Sequence, residues 1–235
     1  MSPVSGEGTR AAALRPRAVL LDVFETTLAL GGLRDRLAAH GRPGHELELF
    51  FARTLRDGMA QSLAGESLPF ADLARAQLRT TSGLVGADAD DVLAAFRSLP
   101  AHPDVEPGLR ALRAAGVPVW AFTHGAAAVA EEALSTAGLR GLLAGVLSTE
   151  TLHTFKPPAA AYHWGCAQVG STPAATALVA AHSWDTHGAV QAGLVAGLLT
   201  RLEGWVSDAM AAPHVTAEHF DEVVRGLLAL PESVG

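Results

Sequence analysis

The chain has 235 residues and a mass of 24.2 kDa, and is 49% apolar and 17% charged. That is material for one α/β domain with an insertion or for two small domains, and it excludes a disordered or collagen-like polypeptide. No apolar stretch reaches the ~18 uncharged residues of a membrane-spanning helix, and a net charge of -7 leaves no footprint for nucleic acid or an anionic membrane surface.

A flexible N-terminus is expected over residues 1–15, which are rich in Ala, Gly and Arg and lack the apolar centre of a secretory signal. Residues 18–24 (AVLLDVF) then form a short apolar run that reads as a strand buried on both faces. Residues 30–103 show no strand signal and at least three helices. One face is marked by Leu47, Phe50, Phe51, Leu55 and Met59, and another by Phe70, Leu73 and Leu78. A third helix, Val92 to Phe96, has Asp88 and Asp91 as cap candidates. So long a connection is too structured for a loop. It is predicted to be a helical cap inserted after strand one, hinged at Gly31–Gly32 and Pro100–Pro103.

Beyond the cap, apolar runs at 117–123, 142–148, 176–181 and 195–200 read as four more strands. Helical segments at 107–115, 126–137, 158–168 and 186–193 alternate with them, and Gly116 and Gly138 stand where helix C-terminal glycines belong. A closing stretch, 216–230, has helical spacing at Phe220, Val223, Val224, Leu227 and Leu228. Strands alternating with helices give a doubly wound, Rossmann-like parallel sheet. The predicted α/β core comprises residues 16–29 and 104–235.

Ligands of such sheets bind outside the carboxyl ends of the strands, and the polar residues at those ends are few. Strand one ends in Asp22, followed by Thr26 and Thr27. Strand two ends in Thr123, His124 and Gly125. Strand three is followed by Thr149, Glu150 and Lys156, and strand four by His182, Ser183, Trp184 and Asp185. Lys156 is the only lysine beside sixteen arginines, which suits a position requiring a compact ammonium rather than a planar fork.

This series resembles the haloacid dehalogenase superfamily over nearly the whole chain. The matching motifs are Asp22–Thr26 (DVFET), Thr123 (AFTHG), Lys156 (TFKPP) and Asp185 (HSWDTHGA). The spacing of Lys156, Pro157 and Tyr162, and the pair Trp184–Asp185, look like the 2-haloacid dehalogenase branch, as does the position of the cap. The resemblance implies that Asp22 is a nucleophile forming an aspartyl ester that water hydrolyses. It implies that Lys156 keeps Asp22 ionised and that Thr123 donates a hydrogen bond to Asp22 or to the substrate. It gives Asp185 the tasks of orienting Lys156 and positioning or activating water. A substrate carboxylate would meet an arginine early in the cap, Arg53 or else Arg56, with Arg53 preferred for its place beside Phe50 and Phe51. Phe24, Phe51 and Trp184 would wall a small halogenated carbon, with Tyr162, His124 and His182 also at the substrate.

Two positions favour dehalogenation over phosphoryl transfer. Phosphatases of the superfamily resemble D-x-D, and Phe24 stands where the second Asp would protonate a leaving alkoxide. They also look like having an acidic pair for Mg²⁺, of which Ala181 occupies one place. A halide leaves as a stable anion and needs neither proton nor metal, so no cofactor is expected. Other positions differ from the pattern: Glu25 replaces a usual Gly, His124 an Asn, and Ala180 and His182 a Ser and an Asn. A Mg²⁺-dependent phosphatase-type hydrolase and an inactive binding homologue therefore remain alternatives. A metal trio of His182, Asp185 and His187 lacks one-face helical spacing, and Cys166 has no adjacent base. The expected partner is a small halogenated carboxylate, the resemblance implies a homodimer, and a single cysteine suits the cytoplasm.

Overall fold

A computed structural model describes residues 13–232. Six parallel strands form one sheet in the order β3-β2-β1-β4-β5-β6: β1 (Ala18–Leu21), β2 (Val119–Thr123), β3 (Gly145–Ser148), β4 (Thr176–Ala180), β5 (Val195–Leu199) and β6 (Val215–Ala217). In the register, Leu21 stands beside Ala121 on one side and Val179 on the other. Strand alternation sends Val19, Leu21 and Val179 into one apolar cluster and Leu20, Phe122 and Leu178 into another. The first cluster is covered by α5 (Val105–Ala114), α6 (Ala127–Thr136) and α9 (Phe220–Leu228). The second is covered by α7 (Ala159–Gln168) and α8 (Ser183–Gln191). Helices thus lie on both faces, and the order reverses at β1, which opens a crevice at its carboxyl end.

The cap is built from α1 (Gly31–Ala39), α2 (Glu46–Ala64), α3 (Phe70–Ser82), α4 (Gly86–Ala94) and a 3-10 turn at Ala95–Ser98. The exit and return of the chain lie side by side. Leu28 and Ala101 form an antiparallel bridge, with Ala29 N–H donating to Pro100 O (2.8 Å) and His102 N–H to Thr27 O (3.1 Å). The α5 helix follows the return but belongs to the core, packing on α9 so closely that a Cβ on Gly108 would meet the Phe220 ring at 2.3 Å.

Several sequence expectations are adjusted. Gly31 and Gly32 lie in the first turn of α1. Asp88 and Asp91 do not cap their helix: α4 starts at Gly86, and Asp91 pairs with Arg36 and His40 of α1. The closing stretch yields the three-residue β6 before α9, its Val215–Ala217 pairing with β5. Residues 1–12 of the N-terminal segment lie outside the described residues. Within the remainder, Arg15 N–H donates to Pro231 O (2.8 Å), so the chain is tied to the core from there. Gly116 and Gly138 have φ of +72° and +75°, as helix-ending glycines do. Among the described residues no helix is long and apolar enough to cross a membrane.

Candidate active site

Asp22 N–H donates to Val179 O (3.0 Å), carrying the ladder one residue past β1 and delivering the side chain to the crevice. The chain then turns back on itself. Thr27 Oγ1 donates to Asp22 O (2.7 Å), and Thr26 Oγ1 donates to Asp22 Oδ2 (2.6 Å) while accepting from Ala181 N–H (2.9 Å). Thr26 thereby locks the carboxylate to the end of β4. At the centre of this turn Glu25 has φ +67°, left-handed backbone that usually falls to Gly or Asn. The residue that departs from the superfamily's Gly therefore still adopts the backbone a Gly would.

Lys156 arrives from the segment after β3 and is fully buried. Its Nζ donates to Asp22 Oδ1 (2.9 Å) and Asp185 Oδ2 (2.5 Å) and lies 3.4 Å from Phe122 O. The ammonium is also 5.1 Å from the Phe122 ring and 5.8 Å from the Trp184 ring, which shield it from water. Asp185 sits in the first turn of α8, where helix dipoles favour a carboxylate. Its second oxygen, Oδ1, accepts from the Tyr162 hydroxyl (2.7 Å). That contact depends on Gly188, since a Cβ there would lie 2.5 Å from the Tyr162 oxygen.

Burial of Asp22 alone would raise its pKa, but the Lys156 ammonium, with His182 and Thr26, holds it well below the usual carboxylate range. Burial likewise opposes charge on Lys156, yet the two carboxylates push its pKa up. Asp185 is raised by burial despite Lys156, and the Tyr162 hydroxyl is raised by burial and by Asp185. Asp22 is thus an anion with little water around it, held charged chiefly by the Lys156 ammonium.

A stack of four rings forms one wall: Phe155 on His124 (4.7 Å), His124 on Trp184 (5.6 Å) and Trp184 beside His182 (5.2 Å). His124 Nδ1 faces the Lys156 backbone N–H at 3.3 Å, which assigns the proton to Nε2, a buried donor without a partner among the described residues. Burial and Lys156 push its pKa well below the ordinary value, so the ring is neutral. His182 Nε2 is 2.8 Å from Glu25 Oε2, and its Nδ1 is 3.5 Å from Asp22 Oδ2.

Beside Asp22 is a cavity of about 10 Å³ lined by Phe24, Thr123, His124, His182 and Trp184 of the core and by Phe51, Leu55 and Phe70 of the cap. A larger cleft of about 600 Å³ shares Phe51, Leu55, His182 and Trp184 with it and adds Arg56, Met59, Leu63 and Leu202.

Asp22, Lys156, Asp185, Thr123, Phe24, His124, Trp184 and His182 therefore converge. Tyr162 does not reach the cavity; it lies behind Asp185 as a buried support. The Thr123 hydroxyl accepts from Gly125 N–H (3.3 Å), and it is Thr26 that donates to Asp22. Arg53 points away, its Nη1 donating to Thr81 Oγ1 on α3 (3.1 Å). The reason is helical geometry: at 3.6 residues per turn, Arg53 is rotated roughly 200° from Phe51, whereas Arg56 joins the face along the cleft. Leu55 and Phe70 were not anticipated at the site. Leu55 is one helical turn beyond Phe51, a spacing that points to it, but nothing local marks Phe70. His187 Nδ1 accepts from Ala211 N–H (2.9 Å), and Cys166 is buried under the sheet.

The donor set does not suit the Mg²⁺ of phosphatase-type members. Asp22 and Asp185 share one ammonium, Ala181 supplies no oxygen side chain, and Phe24 is part of the apolar wall.

A six-stranded parallel sheet capped by helices, with an anionic Asp at the first strand end and a buried Lys across from it, defines a hydrolase of the haloacid dehalogenase superfamily. The chain belongs to it: residues 13–193 match the haloacid dehalogenase-like hydrolase family. Within that family its likeness is to 2-haloacid dehalogenases. It is 28% identical over 193 residues to (S)-2-haloacid dehalogenase 4A of Burkholderia cepacia, covering 80% of this chain and 81% of that one. An L-2-haloacid dehalogenase crystal structure superimposes with a TM-score of 0.85 at 25% identity, covering 91% of this chain and 99% of the other. The L-2-haloacid dehalogenase of Xanthobacter autotrophicus with chloropropionic acid covalently bound shares the fold, with a TM-score of 0.81 at 21% identity over 89% and 97% of the two chains.

Proposed function

We propose that this hydrolase cleaves the carbon–halogen bond of small 2-haloalkanoic acids in two steps at Asp22, without a metal. An oxygen of Asp22 attacks the halogen-bearing carbon, the C–O bond forms as the carbon–halogen bond breaks, and halide departs with the bonding pair. Water then hydrolyses the aspartyl ester. The observation that carries the reading is the Asp22–Lys156 contact of 2.9 Å within an apolar wall. A desolvated carboxylate kept anionic is a stronger nucleophile toward carbon than a hydrated one. Halide needs no general acid, and Phe24 supplies none.

His124 supports the first step, because its unpaired Nε2–H lines the cavity and is a donor for a departing halide. Asp185 orients Lys156, and Tyr162 holds Asp185. With Arg53 on Thr81, the guanidinium that borders the cleft is Arg56, which pairs with its neighbour Asp57 at 2.7 Å and would exchange that exposed partner for a substrate carboxylate. Exposed Leu49, Leu63 and Leu68 on the cap offer a surface for a homodimer, which size-exclusion chromatography with light scattering tests. The buried, unpaired Cys166 is compatible with cytoplasmic residence.

The test is halide release from 2-chloropropionate in the presence of EDTA, with the Asp22 peptide examined by mass spectrometry after rapid quenching. Stoichiometric halide and 2-hydroxyacid, with a transient adduct on Asp22, are expected. Phosphate release from phosphomonoesters that requires Mg²⁺, without dehalogenation, would overturn the proposal.

A further inference from the structure

Hydrolysis of the ester needs a base within reach of the water that attacks it, and most groups around Asp22 are unsuited. Asp185 is completely buried and both its oxygens are engaged, one by Lys156 and one by Tyr162. It does not border the cavity. Lys156 is a charged ammonium between two carboxylates. His124 has only an N–H facing the cavity, its Nδ1 being taken up by the Lys156 amide. Ala180 has no polar side chain.

His182 differs from all of these. Its Nδ1 is buried, lacks a hydrogen-bond partner and lies 3.5 Å from Asp22 Oδ2. The ring borders the cavity of about 10 Å³, which is about the room one water requires. Its other nitrogen is fixed by Glu25 Oε2 at 2.8 Å, and the left-handed backbone at Glu25 is what aims that carboxylate. The arrangement is carboxylate, imidazole, then the carbonyl carbon to be attacked.

We propose that His182, oriented by Glu25, is the general base that activates water to hydrolyse the Asp22 ester; the assignment rests on the aspartyl-ester reading above. In the resting protein burial opposes a charge on His182, but Asp22 and Glu25 push its pKa up to about 10, so it is an imidazolium. Ester formation abolishes the Asp22 charge, leaving Glu25 as its only direct counter-ion among the described residues, and His182 releases its Nδ1 proton to solvent by way of the adjoining cleft. Water then attacks the Asp22 carbonyl carbon as Nδ1 takes one of its protons. The tetrahedral intermediate collapses with cleavage of the bond between that carbon and the alkyl oxygen. The leaving alkoxide takes the proton of the newly added hydroxyl. The products are the hydroxyacid, the Asp22 carboxylate and the imidazolium of the resting state, so the cycle consumes one water and yields one halide and one proton.

The experiment is rapid-quench halide release and intact-protein mass with 2-chloropropionate, comparing wild type with His182→Ala, His182→Asn and Glu25→Gln. For both His182 variants we expect one equivalent of halide per chain, then turnover slowed about 100-fold or more, with the Asp22 ester accumulating. Glu25→Gln, which keeps size but removes charge, should retain the burst and accumulate ester to a smaller extent. A merely structural role for Glu25 would lower burst and turnover together. The assignment is overturned if the His182 variants turn over within about threefold of wild type, or if their burst is lost along with turnover. If wild type itself releases no halide and acquires no adduct, it is the aspartyl-ester reading that fails.

Discussion

Replacing Lys156 by Met removes the one ammonium from a site that holds two buried carboxylates. At 2.9 Å from Asp22 and 2.5 Å from Asp185, each contact carries roughly 6 kcal/mol of gross Coulomb attraction at an effective dielectric constant of about 20. Most of that is offset by the cost of burying the charges, and breaking such a pair leaves a net loss of about 3–5 kcal/mol. Urea unfolding at pH 7 should show that loss, a large share of the ~5–15 kcal/mol typical of a domain. The pH dependence should also shift toward stabilisation by acid. In wild type Asp22 is depressed, so its contribution is present above the unfolded value of about 3.9 and is lost as pH falls through the folded value. In the variant burial raises Asp185, since no other cation contacts it among the described residues, while Asp22 keeps His182 and Thr26. The Asp185 contribution is then present below about pH 3.9 and lost as pH rises through its raised folded value. Between about pH 7 and 4 the variant should therefore gain stability on acidification. A loss under about 1 kcal/mol at pH 7 with a wild-type pH profile would refute the claim that Lys156 maintains the charge on Asp22.

Asp22→Asn should abolish halide release and the covalent adduct while retaining the wild-type circular dichroism spectrum; measurable steady turnover would remove Asp22 from the nucleophile role. Tyr162→Phe should cost about 1–3 kcal/mol in urea unfolding, because it strips a hydrogen bond from the enclosed Asp185, and a neutral result would mean that Asp185 is satisfied without it. Arg56→Ala should raise KM for 2-chloropropionate about tenfold or more with a smaller change in kcat, whereas Arg53→Ala should leave KM unchanged. The opposite ranking in steady-state kinetics would return the carboxylate-binding role to Arg53.

The sheet was legible because its strands are buried on both faces and read as unbroken apolar runs. The three-residue edge strand β6, with Val215 and Ala217 half-buried and Thr216 exposed, carries no such signal. At the site, Asp22, Lys156 and Asp185 could be placed because topology fixes strand ends, and strand ends fix the crevice. The cap is another matter. Position along a strand end determines direction, but an arginine on a helix faces one of several neighbours, and residues adjacent in sequence lie on different sides. This is why Arg53, beside Phe51 in the chain, is engaged by Thr81 on α3. Glu25 shows the same limit in reverse. Its identity suggests a solvent-facing acid at a turn, and only the left-handed backbone together with His182, distant in sequence, gives it a partner.

The cavity beside Asp22 is far below the ~300–1,000 Å³ of ordinary ligand pockets, and its walls are divided between two layers. Phe24, His124, His182 and Trp184 come from the core; Phe51, Leu55 and Phe70 come from the cap. Phe96, late in the cap, packs edge-on to both Phe24 (5.0 Å) and Phe70 (5.7 Å), so the rings that close the site are also those that join cap to core. Under the proposed function, admitting a haloacid must separate these rings, and the covalent links between the layers run through the paired segments at Leu28 and Ala101. Opening therefore exposes aromatic surface at an energetic cost that substrate burial has to offset on closing. Closing in turn expels the water that would weaken the Asp22 nucleophile. On that reading the aromatic seam couples substrate retention to the desolvation on which attack at carbon depends, and leaves room for little more than the single water of the second step.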